Sequence, residues 1–172
     1  TKLSRTAVKD QTICSVDMGI NTDAVCTIMR ADGTVLGRRF LNFPSEKDRL
    51  YRVLGRVRRF QRQHGSGQSG SRWAYAKRLN MELARKVSGA ITAYAWEQGA
   101  EVIVFEYLEI QGRKQGGKKQ RLHMWRKRDI QKQCEHQAHR RGIRVSRVSA
   151  RNTSRQAFDG SGKVARNPEN HS

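Results

Sequence analysis

Residues 101–108 read Glu-Val-Ile-Val-Phe-Glu-Tyr-Leu, a nearly unbroken apolar run that follows a glycine at position 99. Such a run is the pattern of a strand covered on both faces, and strands of that kind belong to sheets layered by helices. A second strand pattern, Thr-Ile-Cys-Ser-Val-Asp-Met-Gly-Ile over 12–20, ends at a glycine. Residues 24–31 form another β-type run, Asp32-Gly33 is a strong hairpin signal, and a third run covers Thr34 to Phe43. Three neighbouring strands joined by short turns predict an antiparallel meander.

Pro44 stops the third strand, and Ser45 with Asp48 reads as the start of a helix. Leu50, Val53, Leu54, Val57 and Phe60 fall on one stripe of that helix, and Gly65 is placed to cap it. Residues 65–70, Gly-Ser-Gly-Gln-Ser-Gly, read as a flexible link. The spacing of Leu79, Leu83, Val87, Ile91 and Tyr94 predicts a second helix over about 73–98. A glycine-rich basic loop over 111–120, a third helix over about 122–141 and a strand over 143–148 follow, and from Ser149 the chain is polar with little periodicity. The resulting order, β-β-β-α-α-β-α-β, fits a mixed α/β sheet with helices on its faces, for which the ribonuclease H-like arrangement is a natural home. At 172 residues the chain suits one domain. A start at Thr1 and a last stretch, Asn167 to Ser172, without a structural stop read as a piece of a longer protein.

Charge narrows the function. Lys and Arg number 35 against 15 Asp and Glu, a formal charge of +20. Self-repulsion of that size calls for an anionic partner. Between Gln111 and Arg147 stand 13 basic residues and 2 acidic ones, the footprint of a phosphate-binding surface. The candidate nucleic-acid contacts there are Lys118, Lys119, Arg126, Lys127, Arg128, Arg140 and Arg141. Arg58, Arg59 and Arg62 join them, opposite the apolar stripe of the first helix. Trp125 is either a base-stacking residue or core. No apolar run approaches the roughly 18 residues of a membrane span, and neither end reads as a signal peptide, so a cytoplasmic protein is expected. Three cysteines without a Cys-x-x-Cys spacing fit buried reduced thiols better than disulfides or a zinc site. Cys134, His136 and His139 cannot all face one ion from a single helix. Gly112-Arg-Lys-Gln-Gly-Gly117 lacks the Gly-Lys-Ser/Thr ending of a phosphate loop.

Two carboxylates stand where charge is costly. Asp17 shares a strand face with Ile13 and Ser15, and Glu106 interrupts the most apolar run, sharing a face with Val102 and Val104. Asp17 alone reads as a strand-end cap, and Glu106 alone as the partner of an arginine. Taken together on two core strands of a very basic chain, they read as converging oxygen ligands for Mg²⁺ or Mn²⁺. A pair of such ions about 4 Å apart can position a water and stabilise the leaving oxygen of a phosphodiester.

Val16-Asp17-Met18-Gly19-Ile20-Asn21 with Ala24-Val25 resembles the first motif of the RuvC-like nuclease domain of TnpB proteins. These are RNA-guided nucleases of bacterial insertion sequences related to type V CRISPR effectors. Val102-Ile-Val-Phe-Glu106-Tyr-Leu-Glu resembles the second motif. The helix from Trp125 to Gly142, then Ile143-Arg-Val and Asn152-Thr153-Ser154-Arg155, resembles the approach to the third. The resemblance implies a ribonuclease H-like fold, a divalent metal (Mg²⁺ or Mn²⁺) on catalytic Asp17 and Glu106, and DNA cleavage directed by a guide RNA. It also implies other domains of a parent chain as neighbours. Two departures are plain: Arg155-Gln-Ala-Phe-Asp-Gly-Ser-Gly162 stands where the family carries a Cys-x-x-Cys zinc knuckle, and the family's third Asp would fall beyond this sequence. Asp159 reads as a turn residue rather than its substitute.

Two other readings remain open. A chain short of the third acid also reads as a TnpB-like module that holds RNA and DNA without cutting. Asp17-Met-Gly-Ile-Asn21-Thr22 also fits the phosphate turn of an actin-like or sugar-kinase-like ATPase, although no second glycine-rich loop follows a later strand.

Overall fold

A computed structural model describes residues 11–19, 22–107 and 118–149, with backbone alone at 107, 118–125 and 149. The expected strands and helices are found in the expected order. They are β1 (Thr12–Asp17), β2 (Ala24–Arg30), β3 (Val35–Leu41), α1 (Pro44–His64), α2 (Gly70–Glu97), β4 (Val102–Tyr107), α3 (Lys118–Arg140) and β5 (Arg144–Ser149). The five strands form one sheet in the order β3-β2-β1-β4-β5. Pairing is antiparallel from β1 to β2 and from β2 to β3, and parallel from β1 to β4 and from β4 to β5. The fold is the mixed α/β, ribonuclease H-like arrangement that the element order predicts.

Alternation decides which face each strand gives to the core. Cys14 and Val16 of β1, Cys26 and Ile28 of β2, and Ile103 and Phe105 of β4 are buried against Leu83, Ala84, Val87 and Ile91 of α2 and Ile130, Cys134 and Ala138 of α3. Burial of the larger of these side chains contributes about 1.5–3 kcal/mol each. Burial pushes the Cys134 thiol up to about 12, and a hydrogen bond with Cys14 together with burial raises Cys26. All three cysteines are free. Helix α1 packs on α2 instead of on the sheet, through Leu50, Ala76 and Leu79 with Val53, Leu54 and Trp73.

Helix boundaries differ from expectation at three N-termini, each for a local reason. Helix α1 begins at Pro44, with Phe43 as N-cap, because proline is at home in a first helical turn and the Phe43 amide is satisfied elsewhere. The acid of the first turn is Glu46, paired with Lys86 of α2, rather than Asp48. Helix α2 begins at Gly70, three residues before Trp73, since Ser69 turns inward: its hydroxyl donates to the Ser66 carbonyl (2.7 Å) and accepts from Gln61 Nε2 (2.9 Å). Helix α3 begins at Lys118, inside the stretch read as loop. The Asp32-Gly33 turn forms as expected, with the Thr34 amide donating to Asp32 Oδ1 (2.8 Å) and Gly33 at φ +92°.

Phe105 is wholly buried at the centre of the sheet. Phe105→Ala should lower unfolding free energy by about 3–5 kcal/mol in urea denaturation, with the near-native slope retained.

Candidate active site

Strands β1 and β4 lie side by side in parallel, with Val16 opposite Phe105. The next residue on each strand is therefore Asp17 on β1 and Glu106 on β4, level with each other at the C-terminal ends of the two strands. Residues level across a parallel pair point to the same side, and strand spacing is about 5 Å. Both acids thus stand on the face away from α2 and α3, since their neighbours Val16 and Phe105 face the helices. From β1 the chain proceeds outward to β2 and β3 on one side, while β4 and β5 occupy the other. Ligands of open α/β sheets gather at this kind of reversal, beyond the carboxyl ends of the strands.

Asp17 is exposed and Glu106 half-buried, and among the described residues neither carboxylate enters an ion pair. The end of β4 is held from the helix layer, where Gln131 of α3 donates its Nε2 to the Glu106 carbonyl (2.9 Å). On the β1 side the chain leaves through Gly19, where a Cβ would sit 2.8 Å from the Thr22 carbonyl oxygen, so only glycine allows the backbone to double back so tightly. Two hard oxygen donors, neither paired with a cationic side chain among the described residues, fit a site for Mg²⁺ or Mn²⁺. No group of three metal-ligating side chains occurs among the described residues.

The turn after Asp17 returns at Asp23, a residue that sequence reasoning missed. Its side chain is 1% exposed. Oδ2 accepts the Phe43 amide at 2.8 Å and lies 3.4 Å from Lys47 Nζ, while Oδ1 lies 4.0 Å from Arg126 Nη2. The Asp23 amide donates to the Leu41 carbonyl at 3.0 Å. Asp23 thus ties the β1–β2 turn to the end of β3 through its amide, and to the start of α1 and the body of α3 through its carboxylate. Arg126 is a correction to the sequence-based set: it is buried beside Asp23 rather than turned outward. Its burial lowers the guanidinium's pKa, and the charge of Asp23 opposes that shift.

The other predicted contacts separate clearly. Arg58, Arg59 and Arg62 are exposed along α1, Arg128 is exposed and Lys127 half-buried on α3, and Arg140 and Arg141 are exposed at the end of α3. The last of these lies over the Trp96 ring, 5.5 Å from its centroid. On the α1–α2 hairpin, Arg58 approaches Tyr51 at 6.0 Å, Arg72 covers Phe60 at 4.1 Å and Arg49 donates to the Tyr75 hydroxyl at 2.9 Å. Cys134 faces the core, whereas His136 and His139 are exposed on the same helix. The side chains of Lys118, Lys119 and Trp125, the Ile20-Asn21 pair, the loop 111–117, Asn152 to Arg155 and Asp159 lie outside the described residues.

The same architecture recurs in solved structures. A cryo-EM structure of a Cas12f1–sgRNA–target DNA complex matches 94% of this chain with a TM-score of 0.66 and 17% identity. A CRISPR–Cas12f ternary complex matches 92% with a TM-score of 0.64 and 18% identity. The chain has a RuvC-like fold. Alicyclobacillus acidoterrestris C2c1, solved with a single-guide RNA, matches 85% with a TM-score of 0.56 and 10% identity. This chain spans 41%, 32% and 33% of those three proteins, so the RuvC-like unit corresponds to less than half of each. No protein-family model and no curated protein sequence matches it. Among the described residues, no helix is long and apolar enough to cross a membrane.

Asp23→Asn removes the charge that faces Arg126 and should destabilise the protein by about 3 kcal/mol. In urea denaturation, pairing it with Arg126→Met should restore much of the loss, because the double variant buries no unmatched cation.

Proposed function

We propose that this chain is the nuclease unit of an RNA-guided DNA endonuclease of the TnpB type, hydrolysing phosphodiester bonds with divalent metal. The observation that carries the proposal is the level placement of Asp17 and Glu106 on one face of adjacent parallel strands, in a chain of charge +20. The recurrence of the fold in Cas12f1, solved with sgRNA and target DNA, and in C2c1, solved with a single-guide RNA, supports the same reading.

Asp17 and Glu106 would hold Mg²⁺ or Mn²⁺, which when bound supplies the positive charge that activates a water and stabilises the leaving oxygen. The two carboxylates fix where the scissile phosphate must sit. Their own charge would repel it without a cation, which makes phosphate binding and metal binding interdependent at this point. Gly19 and the Asp23 cluster hold the β1 side of the pair, and Gln131 holds the β4 side. Arg58, Arg59 and Arg62 are assigned to the phosphate backbone, where they supply affinity without reading sequence. Target choice would then rest with guide pairing.

A second reading, a binding module that does not cut, is favoured by the absence of a third acid beside the pair among the described residues. One experiment separates the two. In the full-length parent protein with its guide, Asp17→Ala and Glu106→Ala should each abolish Mg²⁺-dependent cleavage while leaving nucleic-acid affinity unchanged. Undiminished cleavage in Glu106→Ala contradicts the nuclease reading, and no cleavage by the wild type favours the binding module. Separately, replacing Arg58, Arg59 and Arg62 together with Gln should flatten the log–log salt dependence of duplex binding by about 2–3, close to 0.9 per lost phosphate contact.

A further inference from the structure

The register carries the acid pair into a longer row. Phe40 of β3 stands opposite Val25 of β2, Val25 opposite Asp17, and Glu106 opposite Val148 of β5. The row Phe40–Val25–Asp17–Glu106–Val148 therefore crosses the whole sheet on the face away from the helices. Phe40 is 66% exposed at its end. In the adjacent row, Arg38 stands opposite Thr27, which stands opposite Ser15. Arg38 is exposed on this same face. Arg39, by contrast, faces the helices: it covers Tyr94 at 4.3 Å and pairs with Glu97 at 3.2 Å.

An aromatic ring this exposed on an edge strand contributes little to the core and invites edge association. Its place in the row supplies a use. Two strand spacings put Phe40 about 10 Å from Asp17. Whatever polynucleotide brings a phosphate to the acid pair must pass over this face. A flat ring flanked by a guanidinium, on the open side of a strongly basic protein, matches an unpaired base and its phosphate.

We infer that Phe40, with Arg38, forms a stacking platform for a single-stranded polynucleotide that runs across the sheet from the acid pair toward β3. The inference rests on the proposed phosphodiester site and adds to it the strandedness of its substrate. A base in a duplex has no free face to offer the ring, so the platform selects single strands. Phe40 is a positioning residue: it places the strand and touches no reacting atom.

The test is binding by the full chain in chelator, so that it does not depend on metal or cleavage. The probes are a labelled deoxythymidine oligomer, a uridine oligomer of the same length and a hairpin duplex. Phe40→Ala should weaken binding of at least one single strand about fivefold or more, and the oligomer that loses affinity identifies the sugar carried on the track. Phe40→Leu should lose as much, Phe40→Trp should retain affinity, and the duplex should bind all variants alike. Full affinity in Phe40→Ala, equal losses for duplex and single strand, or wild-type affinity in Phe40→Leu would overturn the platform. The last result would assign the side chain to ordinary apolar packing. Loss of cleavage in Asp17→Ala with no effect at Phe40 would leave the nuclease reading standing and remove this one.

Discussion

Parallel pairing of β1 with β4 is the constraint on which the rest depends. The two strands are separated by two further strands and two helices in sequence, yet Val16 meets Phe105 in the middle of the sheet. That register is enforced by burial. Shifting either strand by one residue would turn Val16 or Phe105 away from α2 and α3 and bring Asp17 or Glu106 into an apolar layer. The same packing that stabilises the sheet therefore excludes the carboxylates from the core and leaves them level on the opposite face. The site is a by-product of register, so its geometry is as robust as the core.

A second, smaller device governs the loop beside the site. Asp23 is a buried carboxylate whose contacts reach Phe43, Lys47 and Arg126. Buried ion pairs contribute little net stability, because desolvation offsets most of the attraction, but removing one partner is costly. Here the arrangement fixes direction more than it adds stability: the chain leaving Asp17 must come back to a point shared with β3, α1 and α3. Gly19 makes the return short enough.

Much of this was legible in the residues. The interruption of Val102-Ile-Val-Phe105 by Glu106, and the position of Asp17 at the end of an alternating strand, marked both acids, since a charge in an apolar run needs a reason. The stripe from Leu79 to Tyr94 marked the buried face of α2: Leu83, Val87, Ile91 and Tyr94 pack on the sheet core, and Leu79 packs on α1. Asp23 was not legible, because its three charged or amide partners lie 20 or more residues away and no local period announces them. Arg126 was misread for the same reason: in Arg126-Lys127-Arg128 the sequence shows three cations, while the helix turns one of them inward to Asp23. Phe40 acquires meaning only when the β2–β3 register places it in the row of the acids.

The central claim is that Asp17 and Glu106 share one cation. Titrating Mn²⁺ into the metal-free protein, followed by the paramagnetic signal of the free ion, tests it without reference to cleavage. The account predicts saturable binding that is lost in both Asp17→Asn and Glu106→Gln, each with an unchanged unfolding midpoint. Binding that survives either substitution, or that depends on one acid and ignores the other, would contradict it.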